Sequence, residues 1–197
     1  MGIKLIGIHG KARSGKDTMA NFLVENHGFT KMAFADPIKW AVASAFGIPL
    51  GEVYSDEFKE MTHPTWGMTG RQILQLFGTE AMRDTFGIHF WVRRWMIDYG
   101  KLRTVSSVVV SDVREEHEAG AIRELGGLIV HLRRDGAGLG GVEGGHSSEA
   151  GIKVEERDIV ITNNDTLQRL EVETSNVVYF IQKWANSFGY WNYTHKS

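Results

Sequence analysis

Ile3-Lys4-Leu5-Ile6-Gly7-Ile8 runs into Gly10-Lys11-Ala12-Arg13-Ser14-Gly15-Lys16-Asp17-Thr18, and this stretch decides the fold. An apolar run of strand length is followed at once by a lysine loop framed by two glycines, then by a helix predicted from Thr18 to Asn26. A loop of this shape turns successive backbone N–H groups inward around an anion. The helix start adds its positive end, and Lys16 reaches the outer phosphates. Gly10 to Thr18 is therefore expected to cradle the phosphates of a nucleoside triphosphate. Strand, loop and helix in this order predict an α/β fold of the P-loop NTPase type, a parallel sheet flanked by helices.

One position departs from the motif. The residue after the lysine is ordinarily Ser or Thr, whose hydroxyl coordinates Mg²⁺, and this chain has Asp17 there, followed by Thr18. A carboxylate is a harder and stronger magnesium ligand than a hydroxyl, so Asp17 is expected to take the metal role directly, although its charge repels phosphate where no metal intervenes. Read only as a helix-start residue, Asp17 would suit the macrodipole.

A chain of 197 residues is expected to form one domain, 1–197, large enough to bury a core without disulfides or structural metal. Cysteine is absent, which excludes disulfides and thiolate catalysis. No charged-plus-apolar leader precedes the first strand, and no apolar run reaches membrane-spanning length, so a cytoplasmic protein with no membrane partner is expected. The net charge of −2 argues against a broad nucleic-acid footprint.

Phe29 to Phe34 predicts a second strand ending at Asp36-Pro37, with Asp36 as cap and Pro37 at the first position of a helix to Phe46. Ile48 to His63 has no clean period and predicts a mobile or short-helical segment. Thr69-Gly70-Arg71-Gln72 has capping-box spacing and starts a helix toward Arg83. At 3.6 residues per turn, Arg71, Gln75, Thr79 and Arg83 share one polar stripe, opposite Ile73, Leu74, Phe77 and Ala81. A wet face would explain that stripe equally well. Gly78 inside the helix hints at close backbone approach.

Val105 to Val110 predicts a strand buried on both faces, ending in Ser111-Asp112-Val113-Arg114. The carboxyl ends of central strands in open α/β sheets line the ligand crevice, so Asp112 is placed as a magnesium-water ligand, or as a helix cap for Glu115 to Leu125. Leu128 to Leu132 is a further strand. Arg133-Arg134-Asp135, the glycine-dense Gly136 to Gly145, and His146-Ser147-Ser148-Glu149 predict a closing lid at about 133–150, with an ordinary surface loop as the alternative. His146 could order that lid, contact phosphate, or form only local hydrogen bonds. Asp158 to Thr162 is the last strand, Asn163-Asn164-Asp165 a turn, and Thr166 to Trp184 the closing helix. Trp91, Trp95, Trp184 and Trp191 are expected in core or edge packing, and any of them could stack on a base. No zinc spacing and no Gly-x-Ser-x-Gly turn occurs.

Several blocks together resemble the phage-type deoxynucleoside monophosphate kinases, relatives of the nucleoside monophosphate kinase group. They are Gly10 to Thr18, Ala33 to Lys39, Gly70 to Gln75 with Gly78-Thr79-Glu80 and Arg83, Ser111 to Arg114, His146 to Glu149, and Ile161 to Asn164. They span nearly the whole chain in order. The resemblance implies transfer of the γ-phosphoryl group from ATP to a deoxynucleoside monophosphate, with Mg²⁺ held near Asp17 and Asp112. It implies an acceptor-binding helical insertion over about 36–99, where Asp36, Lys39, Arg71, Gln75 and Arg83 would act with Arg114, His146 and Glu149 on the substrate. Lys16 would hold the donor phosphates, and Arg133 or Arg134 would close over the transferring group. The family is also similar to dephospho-coenzyme A and phosphomevalonate kinases, so another phosphorylated metabolite is the alternative acceptor. A non-catalytic nucleotide-binding regulator would need neither the arginine lid nor the stripe. The base and the oligomeric state stay open, a homodimer included.

Overall fold

The computed structural model describes residues 4–138 and 151–194, with the backbone alone for 184–194. In chain order the elements begin with β1 (Leu5–His9), α1 (Lys16–His27), β2 (Phe29–Met32), α2 (Asp36–Phe46), α3 (Leu50–Val53), α4 (Asp56–Glu60) and α5 (Gly70–Gln75). A π-helical segment (Leu76–Arg83) continues into α6 (Asp84–Phe86) and α7 (Phe90–Leu102). Then come β3 (Ser107–Val113), α8 (Glu116–Glu124), β4 (Leu128–Arg133), β5 (Ile159–Thr162) and α9 (Leu167–Thr194). The chain divides into two compact units, Met1–Ala33 with Tyr99–Ser197, and Phe34–Asp98.

The first unit is a five-stranded sheet in the order β2-β3-β1-β4-β5, every pairing parallel. β1 is central, between β3 and β4. Parallel strands covered on both faces need continuous apolar runs, and Leu5, Ile6, Ile8, Val108, Val109, Val110, Ile129 and Val130 are all buried. Ile6 and Ile8 pack with Met19 and Leu23 of α1 and Leu170 and Val177 of α9. Gly7 points the other way, where a Cβ would lie 2.6 Å from Ile122 of α8, so its missing side chain lets that helix close on the sheet.

Several expected boundaries move. Val105 is 80% exposed and lies before β3, which starts at Ser107 and runs on to Val113, placing Asp112 inside the strand. Asp112 is not the cap of α8: Glu115 is, in a reciprocal capping box with Glu118. Glu118 accepts from the backbone N–H groups of Arg114 (2.7 Å) and Glu115 (3.0 Å). Nor is Asp36 a cap. Ala35 takes that place in helical conformation, Asp36 is the first helical residue, and its carboxylate accepts the Tyr54 hydroxyl at 2.7 Å.

The second unit has its own core of Val42, Ile48, Val53, Phe58 and Ile73, with Ile38, Phe46, Leu74 and Phe77 packed against it. The stretch after Ile48 is short-helical, and it inserts Val53 and Phe58 into that core. Thr69 and Gln72 form the capping box that their spacing predicts. Beyond Gln75 the helix widens, so the stripe drawn at 3.6 residues per turn does not hold. Bonding from i to i+5 appears where Asp84 N–H reaches Thr79 O, and the buried positions Ile73 and Gly78 stand five apart while Ala81 is exposed. Gly78 has the close approach its position suggests: a Cβ there would sit 3.2 Å from Ile38, and its carbonyl accepts Trp91 Nε1–H at 2.7 Å. Trp91 and Trp95 are buried, whereas the side chains of Trp184 and Trp191 lie outside the described residues. Among the described residues no helix is long and apolar enough to cross a membrane.

Candidate functional site

β1 ends at His9, and the chain turns over the carboxyl edge of the sheet before α1 begins at Lys16. The turn demands glycine at both ends. A Cβ on Gly10 would lie 2.3 Å from the Leu132 carbonyl oxygen and 2.7 Å from Ser14 Oγ, and Gly15 stands at φ 102° with a Cβ position 2.6 Å from Asn163 Nδ2. Arg13 is the single described non-glycine residue at positive φ, 64°, a conformation that costs about 1 kcal/mol or more in an L-residue. Such strain persists where the surroundings over-determine it. Here they do: Ser14 N–H bonds Lys11 O at 3.2 Å, Asn163 Nδ2 donates to Ser14 O at 2.9 Å, and Gly138 N–H donates to Ala12 O at 3.0 Å.

Inside this frame one group is unsatisfied. Ser14 Oγ is fully buried and has no hydrogen-bond partner among the described residues. A buried hydroxyl left unpaired costs about 1–3 kcal/mol and calls for a cause. The hydroxyl fills the inside of the turn, where a Cβ on Gly10 would come within 2.7 Å of it.

Lys16 folds back on the loop, its ammonium donating to Lys11 O at 2.8 Å. Burial chiefly, and then the Arg114 guanidinium, lower its pKa against the opposing charges of Asp17 and Asp112. Lys16, Asp17, Asp112 and Arg114 thus belong to one electrostatic cluster. Asp17 Oδ1 accepts from Lys31 Nζ at 2.8 Å and from the Ser111 hydroxyl at 3.2 Å. Burial works to raise the Asp17 pKa, but the Lys31 hydrogen bond and charge, the Ser111 hydroxyl and Lys16 outweigh it and hold the carboxyl below its ordinary value. His9, directly before the loop, is pushed toward the neutral form by burial and by the neighbouring His131 and Lys16, against the Val113 carbonyl, which accepts from its ring.

The donor set suits magnesium. Asp17 and Ser111 offer hard oxygens at the mouth of the loop, and a cation already occupies that carboxylate in the form of Lys31. Among the described residues no group of three or more His, Asp or Glu side chains is placed to hold a metal ion. Magnesium on nucleotide enzymes characteristically uses one or two carboxylates and takes its remaining ligands from phosphates and water.

The other predicted residues are distributed as follows. Arg133 ends β4 and is exposed, as is Arg134 after it. His146, Glu149 and most of the glycine stretch lie outside the described residues. In the second unit Lys39 Nζ stands 4.1 Å from the Tyr54 ring centroid, next to the Asp36–Tyr54 bond. Arg71 pairs with Glu60 at 2.5 Å, Gln75 is exposed, and Arg83 closes the π-helical segment, half-buried.

Sequence reasoning missed Lys31, Asn163 and Glu118, and a separate set of ion pairs around Arg123. Lys31 sits on a strand two places from β1, so only the sheet order reveals its reach to Asp17. Asn163 stands in a quoted block, yet its clamp on Ser14 needs the fold. Glu118 was recoverable from its capping-box spacing with Glu115. A buried cluster joins Arg123, Asp158 and His131, with Arg123 to Asp158 at 2.6 Å and His131 to Asp158 at 2.9 Å. It ties α8 and β4 to the head of β5, and Arg123 also reaches Lys153 O at 2.9 Å.

Comparison with known proteins gives the family. The family model described as deoxynucleotide monophosphate kinase matches residues 4–62 and 52–174. A protein of Acanthamoeba polyphaga mimivirus, to which that name is provisionally given, is 35% identical over 179 residues, covering 83% of this chain and 90% of its own length. The deoxynucleotide monophosphate kinase of Enterobacteria phage T4 is 25% identical over 243 residues, covering 89% and 99%. A dephospho-CoA kinase from Campylobacter jejuni superposes with a TM-score of 0.52 at 16% identity, covering 92% of this chain and 98% of that one, a likeness of fold alone. With its phosphate-binding loop, parallel sheet and end-to-end relatives, the chain belongs to the deoxynucleotide monophosphate kinase family.

Proposed function

We propose that the protein transfers the γ-phosphoryl group of ATP to a deoxynucleoside 5′-monophosphate, giving ADP and the deoxynucleoside diphosphate. The observation that carries the reading is the loop itself: after a central parallel strand, glycines stand at both ends, where a Cβ would meet Leu132 O or Asn163 Nδ2, and set Lys16 at the first position of α1. Family membership supports the acceptor class.

Phosphoryl transfer asks for alignment and charge neutralisation more than for covalent chemistry, and the acceptor phosphate is already a nucleophile near neutral pH. No strong general base is needed. The loop N–H groups and Lys16 hold the outer donor phosphates, and Lys16 leaves Lys11 O to do so. Asp17 and Asp112, both of which act electrostatically on Lys16, would hold magnesium. Mg²⁺ there would neutralise and orient the β- and γ-phosphates. Arg71, Arg83 and Arg114 bind the acceptor phosphate, for which a guanidinium offers paired donors. Asp36, Lys39, Gln75, His146 and Glu149 are assigned to the acceptor as well, and Arg133 or Arg134 to the phosphoryl group in flight. A cytoplasmic location, in the host cytoplasm if a phage encodes the protein, belongs to the same proposal.

The test is ADP release from ATP and Mg²⁺ across the deoxynucleoside monophosphates, dephospho-coenzyme A and phosphomevalonate. Substrate-dependent release is expected with one or more deoxynucleoside monophosphates. Release with only one of the other two acceptors overturns the assignment.

A further inference from the structure

The carboxylate that stands in the motif's metal position already carries a cation of the protein's own. Lys31 Nζ lies 2.8 Å from Asp17 Oδ1, and the Ser111 hydroxyl donates to the same oxygen at 3.2 Å. The ammonium arrives from a different element. Lys31 stands in β2, paired in register with Val109 of β3, and Ser111 follows two residues along that neighbouring strand. Sheet order therefore directs a lysine, a hydroxyl and the second residue of α1 to one point beside the phosphate loop.

An aspartate at this place creates a difficulty that Ser or Thr would not. Without metal its negative charge faces incoming phosphates of the same sign. An internal ammonium removes that repulsion. It must also yield when a divalent ion arrives, and the pair is suited to yielding. Its side chains are 35% and 77% exposed, so water replaces the contact readily, and exposed pairs of this kind are held only weakly. A lysine is the apt residue: a compact, strongly hydrated point charge on a flexible stem, without the paired donors that would lock a guanidinium onto the carboxylate.

Building on the assignment of the loop to nucleotide binding, we propose that Lys31 is a resident stand-in for the divalent cation, neutralising Asp17 in the metal-free protein and surrendering it to the metal. Lys31 thereby sets how much free metal the enzyme requires. It acts as a positioning and metal-tuning residue, without contact to the reacting atoms.

The experiment compares full-length wild type, Lys31→Met, Lys31→Arg, Asp17→Asn and the Lys31→Met/Asp17→Asn double variant. Far-ultraviolet circular dichroism checks folding, calorimetry measures metal-free ADP binding, and the electron paramagnetic resonance of Mn²⁺ measures metal binding in the presence of ADP. Lys31→Met should tighten Mn²⁺ by about 3- to 10-fold, the range set by the weakness of an exposed pair, and weaken metal-free ADP by a similar factor. Lys31→Arg should stay nearer the wild type in both. In the Asp17→Asn background the Lys31 substitution should lose its effect on Mn²⁺, since the two residues act through one contact. If wild type binds ADP and Mn²⁺ but folded Lys31→Met matches it in both constants, this inference fails while the nucleotide assignment stands. A wild type that binds no ADP, with or without Mn²⁺, overturns both.

Discussion

The loop from Gly10 to Thr18 and the helix from Gly70 to Arg83 both present cationic side chains, but they are built in opposite ways. In the loop the backbone is the device. Two glycines admit a conformation no side chain would fit, Asn163 and Gly138 brace it from outside, and Lys16 waits on Lys11 O. In the helix the side chains are the device, mounted on a backbone that changes its winding halfway along. Arg71 starts in an exposed pair with Glu60, and Arg83 ends the π-helical segment. The contrast is between a backbone whose N–H groups are fixed by its fold and guanidiniums carried on long, flexible side chains. Fixed dipoles cost nothing to reorganise during the reaction.

The largest effect should come from the loop. Lys16→Ala removes a point charge from the phosphates without touching the core, so kcat should fall by about three or more orders of magnitude while the thermal midpoint stays near that of wild type. Steady-state turnover and a melting curve on the same preparation decide it. Near-normal turnover in the folded variant would remove the loop from the comparison.

Next in size is the helix. Arg71→Ala and Arg83→Ala should each raise the acceptor KM or lower kcat by about 2 to 4 kcal/mol in transition-state terms, and leave ATP affinity largely unchanged. Two variants that behave as wild type would make the helix a wet face.

Why one region was legible and the other only partly so follows from these same residues. Gly10 and Gly15 are written into the sequence because geometry there rejects every other residue, and the both-sided burial of β1 and β3 shows as uninterrupted apolar runs. Local rules also caught the Thr69–Gln72 box. What no local rule contains is a change of helical winding fixed from outside: Gly78 is pressed by Ile38 and bonded by Trp91, both distant in sequence. The stripe drawn through Thr79 and Arg83 failed for that reason. The Lys31–Asp17 pair was hidden likewise, since β2 and β1 are not neighbours. Asp112 slid from a strand's end into its interior because β3 continues to Val113. The predicted lid lies largely outside the described residues.

A pH experiment sharpens the donor side. Glu118 holds the Arg114 and Glu115 N–H groups, and burial above all, with Asp112 and Glu115 nearby, raises its pKa from 4.5 to about 7 against those backbone donors. A carboxyl whose pKa is higher folded than unfolded favours the fold fully below the unfolded value, and that contribution is lost as pH rises through the folded value. Between about pH 4.5 and 7 the protein should therefore lose up to about 3 kcal/mol from this group. Glu118→Gln keeps an acceptor oxygen and cannot titrate, so its denaturant midpoint should vary less over that window. Parallel pH profiles for the two proteins would assign the loss elsewhere.

The smallest effect tests what holds the π-helical segment in place. Trp91 Nε1–H donates to the Gly78 carbonyl at 2.7 Å in a buried setting, and Trp91→Phe keeps an aromatic ring there while removing the donor. A lost hydrogen bond of this kind costs about 1 kcal/mol, and up to about 3 if the abandoned carbonyl stays buried and dry. The cost should not spread evenly. If the indole anchors the wide turn, amides between Leu76 and Asp84 should exchange faster in the variant, and those of α1 and the loop should keep their wild-type protection. The acceptor KM should rise by a few-fold at most, because Arg83 loses its fixed direction but not its charge. Uniform acceleration of exchange would mean that Trp91 serves general stability only. Unchanged exchange across Leu76 to Asp84 would leave the Gly78–Ile38 contact as the cause of the turn, and the helix would then be braced by packing alone.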